Sequence, residues 1–164
     1  MRWTLVGARG AVRDPSGVLK AAQAWAANRG AEVLLADARA VFGRRHVESA
    51  ILHAERAQRE GRMTAHSVAM ESLLYLSGQR QVSHAIRVAG LREDTIATAV
   101  LAFGLDAVDE LVASLGWTRD DTVLEPGGKS LASLGVSPSE EKTVSDTRRE
   151  ELALERVALV DVLK

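Results

Sequence analysis

Cysteine is absent from all 164 residues, which excludes disulfides, cysteine-bound zinc and thiol nucleophiles, and fits an intracellular protein. No apolar run approaches the roughly 20 residues of a membrane span. The opening Met1-Arg2-Trp3-Thr4 shows neither the apolar core nor the cleavage pattern of a secretory signal. A cytoplasmic, soluble protein is therefore expected. Internal repeats and low-complexity tracts are also missing.

What is present is a chain long enough for one hydrophobic core, so a single domain spanning 1–164 is expected. The net charge of −1 hides an asymmetry. Residues 1–92 carry 14 Arg/Lys against 7 Asp/Glu, whereas residues 93–164 carry 7 against 15. Two readings fit: a polyanion-binding face separate from a protein-docking face, or solvated surface charge whose segregation disappears on folding.

The periodicity predicts strands at Trp3–Ala8, Glu32–Ala36 and Thr95–Phe103, with at most a short strand at Thr122–Glu125. Helices are expected from Pro15 to about Asn28, between Gly43 and Gly61, over Asp106–Leu115 and over Thr147–Lys164. The fold class is α/β or α+β, a small mixed sheet covered by about six helices. Residues 117–146 hold Pro126-Gly127-Gly128, Gly135 and Ser137-Pro138-Ser139 and are expected to be the most mobile region.

The most ordered pattern lies in residues 65–91. Met70, Leu73 and Leu74 stand at i, i+3, i+4, and Val82, Ala85, Ile86 and Ala89 repeat the spacing. Gly78 ends the first helix where a positive φ is commonly needed, and Gly90 is expected to end the second in the same way. The polar residues Ser77 to Gln81 form a knuckle between them.

Catalytic patterns are lacking. Gly127-Gly128-Lys129-Ser130 fails as a phosphate loop, because that motif needs glycine where Val123 stands. Gly7-Ala8-Arg9-Gly10 is no dinucleotide fingerprint. His46 and His53 are seven apart, about 10 Å along a helix and too far for one ion. No catalytic residue, metal or cofactor is expected. Glu71 has two readings, a buried, partnered carboxylate orienting Arg80 or a helix-surface residue.

The run Met70-Glu71-Ser72-Leu73-Leu74-Tyr75-Leu76-Ser77-Gly78-Gln79-Arg80-Gln81-Val82, followed by Ala85-Ile86 and Gly90, resembles the signature of the small kinase-binding subunit of the KEOPS complex, the PRPK-binding-protein (TPRKB) family, in its archaeal type. Asp37-Ala38-Arg39, the Gly43-to-Gly61 helix and the closing Leu154–Val162 are similar to the family as well. The resemblance implies a non-catalytic subunit of the complex that makes threonylcarbamoyladenosine on tRNA. Such a subunit docks on the small kinase-like ATPase subunit, recruits tRNA through its single-stranded 3′ CCA end, and associates indirectly with the other subunits. A pure protein-interaction adaptor that does not touch RNA is the alternative.

With only three Trp, two Phe and one Tyr, guanidinium planes and backbone groups would supply much of any contact to a single strand. The candidate RNA-binding residues are Arg44, Arg45, Arg80 and Arg87, with Ser77, Gly78 and Gln81 as neutral partners at the knuckle. Leu159, Val160 and Leu163 on the terminal helix are the candidate anchors for the kinase-like subunit, unless that stripe is tucked into the core.

Overall fold

The computed structural model describes residues 1–164. In chain order its elements are β1 (Trp3–Arg9), α1 (Pro15–Ala27), β2 (Glu32–Asp37), α2 (Arg44–Arg59), α3 (Val68–Ser77), α4 (Val82–Ala89), β3 (Ala97–Phe103), α5 (Asp109–Ser114), β4 (Thr118–Arg119), α6 (Pro138–Glu141) and α7 (Arg149–Leu163), joined in places by short 3₁₀ turns. Its contacts group into two compact units, each built from two stretches of chain: Met1–Ala38 with Gly90–Leu124, and Arg39–Ala89 with Glu125–Lys164.

The first unit holds the sheet, in the order β2-β3-β1-β4 with every pairing antiparallel. Helix α1 starts as the sequence predicts: Pro15 takes the first turn and the Asp14 carboxylate accepts the Gly17 N–H at 3.1 Å. Ala22 from its inner face joins Val6, Leu35, Val100, Leu111 and Trp117 in the core. The strand expected at Thr122–Glu125 is instead a 3₁₀ turn, Asp121–Leu124. The Asp120 carboxylate causes this by accepting both the Thr122 N–H (3.1 Å) and hydroxyl (2.6 Å), a local side-chain alternative to ladder pairing. The fourth strand is the two residues before it, Thr118–Arg119, paired to Ala8 and Arg9.

The second unit is helical and organised around α3. Nine of its ten residues are buried, all but Met70. Helices α2 and α7 pack against it and α4 follows it in contact. A second core joins Phe42, Leu131, Leu134, Val136, Leu152 and Ala153. Residues 131–136 belong to the stretch expected to be most mobile, and here they fill that core. Arg149 and Arg156 fasten the same stretch, donating to the carbonyls of Gly127 (3.0 Å), Lys129 (2.6 Å) and Leu134 (3.2 Å). Ser137 and Glu140 form a reciprocal capping box on α6.

Folding also redistributes charge. The sheet unit carries 7 Arg/Lys against 10 Asp/Glu and the helical unit 14 against 12. The strong polarity of the linear sequence is thereby largely lost, because each unit takes segments from both halves.

Candidate functional site

Helix α3 positions the site from both ends. At its start, Ser67 accepts the Met70 N–H at 3.2 Å. At its end Gly78 adopts φ 69°, ψ 22°, which lets the Gln79 N–H reach back to the Leu74 carbonyl at 3.0 Å. A residue with a Cβ adopts this left-handed conformation at a cost, so glycine suits the position. The turn delivers Arg80 and Gln81 to the surface before α4 begins. Gly90 is not a positive-φ residue, so α4 ends without the left-handed cap that its glycine suggested.

Beneath the turn lies His46, fully buried on α2. Its Nδ1 accepts the Phe42 N–H (3.2 Å) and its Nε2–H donates to the Leu76 carbonyl (3.0 Å). That pairing fits a neutral ring, and burial pushes its pKa down to about 4, against the raising effect of the Leu76 hydrogen bond and with the Lys129 charge adding to the fall. The imidazole therefore acts as a strut between the start of α2 and the end of α3.

Glu71 is buried and partnered, but it does not orient Arg80. One carboxylate oxygen accepts the N–H groups of Thr64 (2.9 Å) and Ala65 (2.8 Å), and the other pairs with Lys164. Lys164 also donates to the Tyr75 hydroxyl at 3.2 Å and lies 4.5 Å from the centre of its ring. Tyr75 donates in turn to Asp161 (2.6 Å), which is bound by His53 (2.5 Å) and Arg56 as well. Burial pushes the Asp161 carboxyl up, but the hydrogen bonds from Tyr75, His53 and Arg56 outweigh it and hold it below the usual range. Burial and the bond to Asp161 push the Tyr75 phenol up, so it stays a protonated donor.

Over this network opens a cleft of about 470 Å³ lined by Arg62, Thr64, Arg80, Gln81, Leu163 and Lys164. Of its three cations, Arg62 pairs with Glu60 and Lys164 with Glu71. Arg80 has no carboxylate; its guanidinium donates to the Leu163 carbonyl at 2.8 Å. One of its five donors is used, and its charge is free to meet an anion.

The structure thus brings only Arg80 and Gln81 of the candidate RNA-binding residues into the cleft. Gly78 stands beside them, half-buried against Arg156. Ser77 is buried, and its hydroxyl donates to the Leu74 carbonyl at 3.1 Å, which takes it out of the solvent-facing knuckle. Arg44 and Arg45 are exposed at the start of α2, with Arg44 3.3 Å from Glu48, and Arg87 is exposed in the last turn of α4; none of the three lines the cleft. Sequence reasoning missed Arg62, Thr64 and Lys164. The missing signal is spatial, since Lys164 meets Glu71 across 93 positions.

Helix α7 presents two faces. Ala153, Val157 and Val160 are buried at i, i+4, i+7, so Val160 belongs to the packed side and is unavailable as a docking anchor. Leu159, Val162 and Leu163 are 36%, 76% and 53% exposed, and their i, i+3, i+4 spacing gathers them on one outer stripe. Val162, absent from the sequence-based set, lies on this stripe, and Val160 does not. No helix is long and apolar enough to cross a membrane.

Comparison with known proteins adds one result. The family model described as kinase binding protein CGI-121 matches residues 12–125, more than two thirds of the chain. The matched residues include α2, α3 and α4 and stop before α6 and α7. No curated protein matches the chain.

Proposed function

The chain belongs to the kinase-binding protein CGI-121 family, and from that premise we propose that it is the non-catalytic subunit that docks on the kinase-like ATPase of a KEOPS complex and recruits tRNA by its single-stranded 3′ CCA end. The observation that carries the RNA half is Arg80, an exposed guanidinium without a carboxylate partner, set beside Gln81 in a cleft that Arg62 and Lys164 also line. A planar guanidinium suits both a phosphate, through paired N–H donors, and the face of an unstacked base. Gln81 adds an amide that reads base edges by donating and accepting.

The kinase half rests on the outer stripe of α7. A protein partner is anchored by apolar side chains that water leaves on docking. The other large exposed apolar side chains are scattered along the chain, Leu52 on α2, Ile86 on α4, and Met1 and Ile96 outside any helix or strand, whereas Leu159, Val162 and Leu163 share one helix face. The carboxylates under the cleft, Glu71 and Asp161, are each committed to cations and hydrogen-bond donors. That arrangement supports a binding role over general acid or base work.

A second reading, an adaptor that never touches RNA, draws support from the internal pairing of Arg62 and Lys164, which leaves a weaker positive field than the lining suggests. The two readings separate in one experiment. The chain is purified with the kinase-like ATPase, then titrated with tRNA that keeps or lacks its terminal CCA. Copurification with CCA-dependent binding supports the proposal; copurification without tRNA binding leaves the adaptor, and equal binding of the two tRNAs overturns recruitment through the CCA end.

A further inference from the structure

Helix α7 carries both proposed surfaces, and they meet in its final turn. Leu163 contributes its side chain to the exposed apolar stripe and lines the cleft, while its carbonyl takes the hydrogen bond from Arg80. Lys164, next in the chain, lines the same cleft and is anchored inward on Glu71 and Tyr75. Asp161, one turn earlier, is gripped by Tyr75, His53 and Arg56. The last carbonyls of any helix lack intrahelical partners and its last turn frays unless something holds it. Here Arg80 itself is one of the groups that hold it.

We propose that this turn couples the two sites, so that a kinase-like partner docked on Leu159, Val162 and Leu163 strengthens RNA binding in the Arg80 cleft and RNA strengthens kinase docking by the same factor. The coupling rests on the two surfaces assigned above and goes beyond them by making them interdependent. Its sign follows from the contacts. A partner covering the stripe holds the final turn in the helical conformation in which the Leu163 carbonyl positions Arg80 and Lys164 faces the cleft. RNA then binds cations whose ordering cost has already been met. Reciprocity is a thermodynamic requirement, and couplings of this kind are about 5- to 150-fold.

The test uses fluorescence anisotropy with a labelled single-stranded RNA ending in CCA. It is titrated with the chain alone, with the chain saturated by the kinase-like ATPase, and with the ATPase alone as control. The reverse titration follows ATPase binding with and without saturating RNA. The expected result is an RNA affinity at least about fivefold higher in the complex, an equal gain in ATPase affinity, and loss of both gains in Arg80→Ala. Equal affinities with and without the partner, when both ligands bind, overturn the coupling and leave the surface assignments standing. A gain that persists in Arg80→Ala also overturns it, because the ATPase then supplies its own RNA contact. Absence of any RNA binding, or ATPase binding that is indifferent to Leu159→Glu with Val162→Glu, overturns the underlying assignments and the coupling with them.

Discussion

Arg80 donates its guanidinium N–H to the Leu163 carbonyl at 2.8 Å, joining the turn after α3 to the last turn of α7 across 83 positions of sequence. The bond lies at the surface, and no carboxylate competes for the charge. Arg80 is thus a minor structural tie whose main capacity is unspent.

Replacement of Arg80 by alanine separates those roles. Losing one exposed hydrogen bond costs about 0.5–1.5 kcal/mol, a fall of only a few degrees in Tm for a chain of this size. Losing a charge-assisted contact to RNA costs about 1.5–3 kcal/mol, at least tenfold in Kd. Melting curves and anisotropy titrations on the same sample give both numbers, and a large loss of Tm without a loss of RNA affinity reassigns Arg80 to structure.

His46 makes stability pH-dependent. Its pKa in the folded protein is about 4, below the ordinary value of about 6.5 in the unfolded chain. Between those values the unfolded state binds the extra proton, so stability is complete above about pH 6.5 and falls as pH drops toward 4, by about 3 kcal/mol over the full interval. Urea unfolding at pH 7.5 and pH 5 measures the slope. In His46→Phe this part of the slope disappears while the protein is destabilised at pH 7.5, since the Phe42 N–H and Leu76 carbonyl lose their partner.

Gly43 precedes α2 with φ 108°, and a Cβ there would run into the Glu150 carboxylate, which accepts the His46 N–H at 3.3 Å. Gly43→Ala therefore combines backbone strain with a displaced cap and is expected to cost about 1–3 kcal/mol. Gly61, also at positive φ but with open space around it, supplies the control. Gly61→Ala carries the strain alone, and thermal melts should rank Gly43→Ala as the more destabilising.

On α7, neighbouring valines should behave oppositely. Val160 is buried and Val162 is 76% exposed, so Val160→Glu places a charge in the core and costs several kcal/mol. Val162→Glu stays within about 0.5 kcal/mol of the parent yet weakens capture of the kinase-like ATPase. Circular dichroism melts paired with a pull-down distinguish the two effects.

Much of this arrangement was legible in the sequence because it is local. The αL cap at Gly78, the Pro15 helix start and the α3–α4 pair depend on residues within a few positions of one another. Glu71 was legible as a choice between burial with a partner and exposure, but its partner was not, since Lys164 stands 93 positions away. The same holds for Leu131, Leu134 and Val136, whose place in a core comes from packing against Phe42 and Leu152 and not from any periodicity of their own. The 3₁₀ turn at Asp121–Leu124 was missed for a different reason: Thr122, Val123 and Leu124 have strand-like composition, and the Asp120 side chain overrides it. For Val160 both readings, docking anchor and core residue, stood open, because the apolar residues 159, 160, 162 and 163 spread over a broad arc of the helix and the sequence does not say which edge of that arc faces in.

The salt dependence of binding to a single-stranded RNA ending in CCA tests the central claim most directly, measured for the parent chain and for Arg80→Ala. Each phosphate neutralised on a single strand contributes about −0.7 to the slope of log K against log salt. If the Arg80 guanidinium meets a phosphate, the variant binds more weakly and its slope is shallower by about 0.7. Superimposable affinities and slopes for the two proteins would contradict the account.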